Sequence, residues 1–442
     1  MPVREIDAPP RVLRPTELQA ALDATQRAAA RLKTRSVDEV LAPLDRVIAA
    51  WQEPDSAWQQ RAQAALPAAT GFSPAMIRHG LPLLLAPLQS DAVRALLREE
   101  LGDPRVLDAP HGGRRAVGPS LITHVLSGNI PGLAATPIVL SLAIKSAALI
   151  KAAAGDPTFP ALFAASVREI DAELAECLVV THWEGGDTAF ESVAFGAADL
   201  VVASGSDAAI AAIAARAPRR FIGHGHKVSF AAIGRECLMD RDAAQRLARQ
   251  LAYDISLWDQ HGCLSPQLCY LEVGARLTPE EFAHLLGTAL DHFATELPPR
   301  TLSLEEKAAV LRFRQASEWQ ETHRLLVSTD STAWTISVEP NAEFVPSCSH
   351  RCIRLKVVRR LADLATVLVP QRHHLEAAGL AVGAERVDDV TAMLAAAGVH
   401  RICALGMMQT PTLAWRQSGR PRVGEWVDWV GVEAVVGERA GA

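Results

Sequence analysis

Cys263 follows a glycine where a helical run gives way to a β-prone one, in the phrase Gln260-His261-Gly262-Cys263-Leu264-Ser265-Pro266. A thiolate is the strongest nucleophile among side chains. It forms a covalent thioester or thiohemiacetal, and so divides acyl transfer or carbonyl redox into two easier steps. The glycine lets the main chain approach a ligand, with backbone N–H groups aimed at whatever is bonded to the sulfur. Cys269, six residues on and inside the β-prone run, reads as core.

Other chemical signatures fail. There is no G-x-x-x-x-G-K-[ST], Gly223-His224-Gly225 lacks the third glycine of a dinucleotide fingerprint, and neither G-x-S-x-G nor H-E-x-x-H occurs. Cys348 and Cys352, with His350 between them, have no second ligand pair at zinc spacing and read as a turn feeding a strand at Ile353. His224, His226, His373 and His374 read as surface or hydrogen-bonding histidines, so no metal is expected.

The elements that must position Cys263 come in two α/β blocks. From residue 121 short β-prone runs (121–126, 147–151, 177–181, 200–203) alternate with helical stretches (134–143, 159–174, 188–195, 207–215). That alternation builds a parallel sheet with helices on both faces, and its ligand crevice lies outside the carboxyl ends of the strands. Those ends carry Ser127-Gly128-Asn129-Ile130-Pro131-Gly132, Lys151, Trp183-Glu184-Gly185-Gly186-Asp187 and Ser204-Gly205-Ser206-Asp207. Small residues, amides and one cation thus face a single edge. A second block begins after Lys227, with a helical run over 242–258, strands at 267–273, 333–338, 352–358 and 401–405, and a helix start at Thr278-Pro279-Glu280-Glu281.

Up to Arg115 the pattern is helical. Thr16 is expected to cap a helix burying Leu18, Ala21, Leu22, Ala29 and Leu32; Ser36 with Glu39 forms a capping box, and Ser73-Pro74 a further cap. These stripes read as core without chemistry. Residues 81–88 and 426–429 could line an acyl tunnel or a dimer contact, but apolar stripes are more often plain core. The expected organisation is a helical region (1–115), a cofactor-binding α/β domain (116–225), a catalytic α/β domain (226–405) and a C-terminal return and oligomerisation segment (406–442).

Composition narrows the function. The 442 residues are 49% hydrophobic and 21% charged, with 44 Lys+Arg against 50 Asp+Glu. A mildly acidic chain without blocks of like charge offers no footprint for nucleic acid or an anionic membrane, and the apolar stretch 133–150 is interrupted by Lys145. Arg4, Glu5, Asp7, Pro9 and Pro10 stand where a secretory leader needs an apolar run, and the seven cysteines are an odd number. A cytoplasmic enzyme with reduced thiols is expected.

In order and spacing, several phrases together resemble the aldehyde dehydrogenase superfamily and, within it, the LuxC-type acyl-CoA reductases. They are His124-Val-Leu-Ser-Gly-Asn-Ile-Pro-Gly132, Lys145-Ser-Ala-Ala-Leu-Ile-Lys151 with Gly155-Asp156-Pro157, Gly223-His-Gly-His-Lys-Val-Ser229 and Gln260-His-Gly-Cys-Leu-Ser-Pro266. Pro346-Ser-Cys-Ser-His-Arg351 and Arg401-Ile-Cys-Ala-Leu-Gly406 continue the likeness. The resemblance implies two parallel-sheet α/β domains behind a helical lead, with Cys263 as the catalytic thiol. It also makes Asn129 an oxyanion-hole donor, a role open to an amide at a strand end and able to contribute about 3 kcal/mol. Lys151 then contacts the adenosine ribose, and Gly205-Ser206 opens a helix beside the pyrophosphate. Ser127, Gly128 and Gly186 join the cofactor edge, and Glu343-Phe344 is placed like the element at the nicotinamide ribose, at a broken spacing.

Two departures from the family pattern matter. Aldehyde-oxidising members carry a glutamate that activates water against the acyl-enzyme; the corresponding stretch, residues 223–227, holds no carboxylate. The thioester should then exchange with a thiol such as CoA, or be reduced. NAD-preferring members place a glutamate three residues after the matched lysine, where this chain has Ala154, which favours NADPH over NADH although Asp156 stands nearby. The expected activity is NADPH-dependent reduction of an acyl-CoA, fatty acyl by resemblance, to an aldehyde, with CoA leaving. Alternatives are oxidation of a small aldehyde and a catalytically silent scaffold. The expected partners are an acyl-CoA or an acyl-donor enzyme and further copies of the chain.

Overall fold

Local signals set the helical lead. Ser36 Oγ accepts the Glu39 N–H at 3.2 Å while the Glu39 carboxylate accepts the Ser36 N–H at 2.6 Å, so the predicted capping box forms and starts a helix over Val37–Gln52. The preceding helix corrects the expectation at Thr16. It begins at Pro15, whose fixed φ suits a first turn, and Arg14 occupies the cap with its N–H held by Glu17 at 2.8 Å.

In a computed structural model of the chain, residues 13–433 are described; Arg4, Glu5, Asp7, Pro9 and Pro10 lie outside them. Five helices lead: α1 (Pro15–Leu32), α2 (Val37–Gln52), α3 (Ala57–Thr70), α4 (Pro74–Leu85) and α5 (Ser90–Leu101). After β1 (Arg114–Val117) come β2 (Leu121–Val125), α6 (Ala135–Ala143), β3 (Ala147–Lys151), α7 (Phe159–Ile170), α8 (Ala172–Ala175) and β4 (Leu178–Thr181). Then follow α9 (Thr188–Gly196), β5 (Leu200–Ser204), α10 (Asp207–Ala214) and β6 (Arg220–His224). Strands β2 to β6 form an all-parallel sheet in the order β4-β3-β2-β5-β6, so β3 and β5 flank β2 and the connections wind outward in opposite directions. Such a reversal opens a crevice at the strand ends.

The chain leaves that sheet at His224 and enters a second at Val228. This half contains β7 (Val228–Ile233), α11 (Arg241–Ser256), β8 (Pro266–Glu272), α12 (Pro279–Glu296), α13 (Leu304–Glu318), β9 (Arg324–Val327), β10 (Thr335–Glu339) and β11 (Cys352–Val358). It continues through α14 (Ala365–Leu368), β12 (Leu375–Ala381), α15 (Val387–Ala397) and β13 (Arg401–Ala404). The seven strands run β13-β12-β7-β8-β11-β10-β9, parallel except for β9. The tail then crosses back, and β14 (Asp428–Gly431) pairs antiparallel with β1.

The tail is tied to the lead. The Glu100 carboxylate of α5 accepts the N–H groups of Arg422, Val423 and Gly424 at 2.8, 2.7 and 2.8 Å. One continuous core joins the lead to both sheets, from Trp51 and Leu81 through Ile138 to Leu271 and Ile353. Among the described residues no helix is long and apolar enough to cross a membrane.

Candidate active site

The helix predicted over 242–258 stops at Ser256 because Trp258, Asp259 and Gln260 turn left-handed, at φ 57°, 48° and 62°. Ser349, His350 and Arg351, just before β11, do the same at 63°, 56° and 58°. Left-handed geometry costs a non-glycine residue roughly 1–2 kcal/mol, so each run needs support. They support each other. Arg351 Nε lies 2.6 Å from Asp259 Oδ1, His350 N donates to the Asp259 carbonyl at 3.1 Å, and Gln260 Nε2 donates to the Cys352 carbonyl at 2.9 Å. The two phrases that the sequence presents far apart are therefore docked, and Cys263 emerges from the docked turn. Gly80 of α4 completes the seat: a Cβ there would stand 2.2 Å from the Trp258 ring.

Gly262 is required by packing rather than by φ. A Cβ at this position would meet Gln409 Oε1 at 3.0 Å and Ile130 Cδ1 at 3.1 Å. Ile130 brings Asn129 with it, and the Asn129 amide donates to the His261 carbonyl. Only one of the two amide hydrogens is needed for that bond, which leaves the other available in the cavity shared with Cys263. Burial, then the negative charge of Glu376, pushes the Cys263 thiol up to about 12, against the pull of its own backbone N–H, Arg422 and Lys227.

That cavity measures about 550 Å³. Ser127, Asn129, Ser204, Gly205 and Ser206 reach it from the ends of β2 and β5, His224 and Lys227 from the end of β6, and Gln260 to Leu264 from the thiol loop. Its apolar wall was not assigned chemistry from the stripes alone. Leu83, Leu84, Pro87 and Leu88 come from the lead, and Leu413, Trp415 and Trp426 from the tail, where the Trp426 ring lies tilted against His124 at 5.3 Å. His124 is held neutral by burial, which lowers it to about 3, with Nε2 2.9 Å from Ser141 Oγ. His224, read as an ordinary surface or hydrogen-bonding histidine, instead lines the cavity with a buried, unpartnered Nδ1.

The remaining cofactor-edge residues lie outside this cavity. Lys151, at the end of β3, sits over the Trp183 ring at 5.4 Å and makes no ion pair among the described residues, while burial lowers its pKa. Gly128 meets Gly155 backbone to backbone, where a Cβ on Gly155 would be 2.2 Å from the Gly128 carbonyl oxygen. Gly186 adopts φ 93° and donates to Glu191 at 2.9 Å. Glu343 is exposed and Phe344 packs edge-on against Phe230 at 6.1 Å, so neither reaches the cavity. Asp156 is buried and turned inward, accepting the Phe159 N–H at 3.1 Å, and burial pushes it up to about 7. A nicotinamide dinucleotide fits what remains at the edge: an unpaired ammonium, a glycine, and the N-terminus of α10 capped by Ser206.

A metal fits less well. His261, Glu306 and His350 bring ligand atoms within 4.8 Å of one another, but Arg300 already stands among them, 3.0 Å from His261 Nε2 and 3.3 Å from Glu306 Oε1. Cys348 and Cys352 hydrogen-bond to one another, which holds the Cys348 thiol below its usual range, and the Ser349–Arg351 turn feeds β11 at Cys352.

The architecture is that of the aldehyde dehydrogenases. A solved NAD-dependent aldehyde dehydrogenase from Burkholderia multivorans superposes with a TM-score of 0.72 at 14% identity, covering 95% of this chain and 83% of that one. Lactaldehyde dehydrogenase from Escherichia coli gives 0.69 at 14%, covering 95% and 91%. Within that class the chain belongs to the acyl-CoA reductase (LuxC) family, whose profile matches residues 32–420. It is similar to the long-chain acyl-protein thioester reductases of Aliivibrio fischeri (27% identical, 67% of this chain and 62% of the relative) and Vibrio harveyi (25%, 76% and 70%). The chain thus spans 62% of the length of the first of these relatives.

Proposed function

We propose that this protein reduces a long-chain acyl thioester to the aldehyde through an acyl-Cys263 intermediate. The observation that carries the reading is the sharing of one cavity by Cys263, Asn129 and an apolar wall. An acyl chain lies against Leu83, Leu84, Leu88 and Trp415 while its carbonyl meets the sulfur. Cys263 attacks that carbonyl, the free amide hydrogen of Asn129 and the Cys263 backbone N–H hold the oxyanion, and the donor thiol departs. Lys151, Gly205 and Ser206 would hold a nicotinamide cofactor, which would supply the hydride. The thiohemiacetal on Cys263 then collapses, releasing the aldehyde and the thiolate.

Acyl-CoA is the proposed donor; the similarity to acyl-protein thioester reductases supports an acyl-protein as the second. NADPH is favoured over NADH, because Ala154 is exposed beside Lys151 and Asp156, the nearby acid, is consumed by the start of α7. Acid formation is disfavoured, since residues 223–227 hold no carboxylate and Glu376, near the thiol, does not line the cavity. All seven cysteines are free, which supports a reducing cytoplasm. Exposed Trp429 and Val430 on β14 support assembly with further copies of the chain.

Cys263→Ala should abolish both the hydroxylamine-labile acyl adduct and aldehyde production from acyl-CoAs between acetyl and palmitoyl. An adduct that survives in the variant overturns the assignment. Free carboxylic acid as the product would instead support the aldehyde-oxidising alternative.

A further inference from the structure

A second cavity, of about 180 Å³, borders the two docked turns and shares no lining residue with the one that holds Cys263. Asp259, His350 and Arg351 reach it from the left-handed runs, Arg300 from the loop between α12 and α13, and Thr332 from the loop between β9 and β10. Pockets for cofactors and drug-sized ligands measure roughly 300–1,000 Å³, so only a small ligand fits here.

The polar part of its wall consists of unspent donors. Arg351 is fully buried; Nε is taken by Asp259 Oδ1 at 2.6 Å and Nη2 by the Leu297 carbonyl at 2.6 Å, so Nη1 is left buried without a partner. Arg300 turns Nη1 to His261 at 3.0 Å and Glu306 at 3.3 Å, and its buried Nε likewise lacks a partner. His350 Nδ1 is a third such nitrogen, a donor in the tautomer protonated there. The neighbouring carboxylates are already engaged. Asp259 Oδ2 accepts the Arg300 N–H at 2.8 Å, and Glu306, which does not line the cavity, accepts the Ser303 N–H at 2.7 Å besides its pair with Arg300. The wall therefore sets two guanidinium groups against one carboxylate.

We infer that this cavity binds a small tetrahedral oxyanion, phosphate or sulfate, held by Arg351 Nη1, Arg300 Nε and His350 Nδ1. A charged donor left unmade in the interior is costly, and an oxyanion accepts from several donors at once through charge-assisted bonds that a neutral water cannot match. Both guanidinium groups also carry the catalytic turn, Arg351 through Asp259 and Arg300 through His261, whose carbonyl accepts the Asn129 amide. The bound anion thus ties the loop before α13 to the turn from which Cys263 emerges, and braces that turn without touching substrate.

The site needs neither thiol chemistry nor an acyl donor, so its test uses the full chain with inorganic ions alone. Hydrogen–deuterium exchange at pH 7 is followed by peptide mass spectrometry in phosphate, sulfate, acetate and chloride at one ionic strength. Peptides covering 297–303 and 330–334 should exchange roughly tenfold more slowly when phosphate or sulfate reaches about ten times its dissociation constant, while acetate and chloride leave them unchanged. Arg300→Gln should lose this protection. Thr332→Glu, which supplies the cavity with a carboxylate of the chain's own, should lose it too, and carries the test should the first variant not fold. Lys151→Ala should keep it, which separates the site from phosphate bound at the cofactor edge. Absence of saturable protection in these peptides, an equal effect of acetate or chloride, or protection that survives in either cavity variant overturns the proposal.

Discussion

Arg351 and Asp259 form an ion pair at 2.6 Å in which both side chains are buried, and each partner belongs to a left-handed run of three residues. The pair also anchors its surroundings: Asp259 Oδ2 accepts the Arg300 N–H at 2.8 Å, and Arg351 Nη2 donates to the Leu297 carbonyl at 2.6 Å. Removing one partner strands a buried charge, which typically costs 3–5 kcal/mol. Asp259→Asn should therefore lower the unfolding free energy measured by urea titration by that amount and slow iodoacetamide alkylation of Cys263, because the turn that presents the thiol is released. Unchanged stability would show that the left-handed runs hold without the pair.

Asn129→Ala removes the side-chain donor that His261 orients. A drop of roughly 10²–10³-fold in kcat with little change in KM is expected, as for loss of one oxyanion-hole donor, measured by aldehyde release from a saturating acyl-CoA. A rise in KM alone would place the amide in ground-state binding instead.

Leu84 faces the cavity from the lead. Leu84→Trp should shorten the accepted chain, lowering kcat/KM for palmitoyl-CoA about tenfold relative to octanoyl-CoA. NADPH consumption across the chain-length series checks this, and equal losses at every length would remove the lead from the acyl wall.

Asp156 makes stability pH-dependent. Its folded pKa, about 7, lies above the unfolded value of roughly 3.9. The fold therefore binds the proton more tightly, and stability is greatest below the unfolded value and falls as pH rises to about 7. At 1.36 kcal/mol per unit this amounts to something on the order of 4 kcal/mol. Asp254, also raised to about 7 by burial, adds a fall of the same sign. Asp156→Asn should flatten the dependence of Tm on pH between 4 and 7 by about half. A slope as steep as that of the wild type would exclude Asp156 as its source.

Much of the site was legible because it lies at strand ends in the first block. There Leu, Ile and Val runs mark buried parallel strands, and Ser127, Asn129, Gly205 and Ser206 follow at their carboxyl edge. What escaped depends on contacts distant in sequence. The strand Leu375–Ala381 is rich in Leu, Glu and Ala, which favour helix, and becomes β only because β7 and β13 pair with both its edges. The left-handed turns contain no glycine to announce them. Residues 81–88 read equally as tunnel, dimer contact or core, because an apolar cavity wall and an apolar core share one pattern.

The three N–H groups that Glu100 gathers from residues 422–424 hold the tail against the lead, so much of the apolar cavity wall is assembled from chain that belongs to neither large sheet. Substrate range can consequently drift under mutation at residues 83–88 and 411–426 while the sheets that carry Cys263, Asn129 and the cofactor edge stay fixed. Chimeras that exchange these two segments together between homologues should transfer chain-length preference as a unit, and exchange of either one alone should mismatch the two sides of the cavity wall.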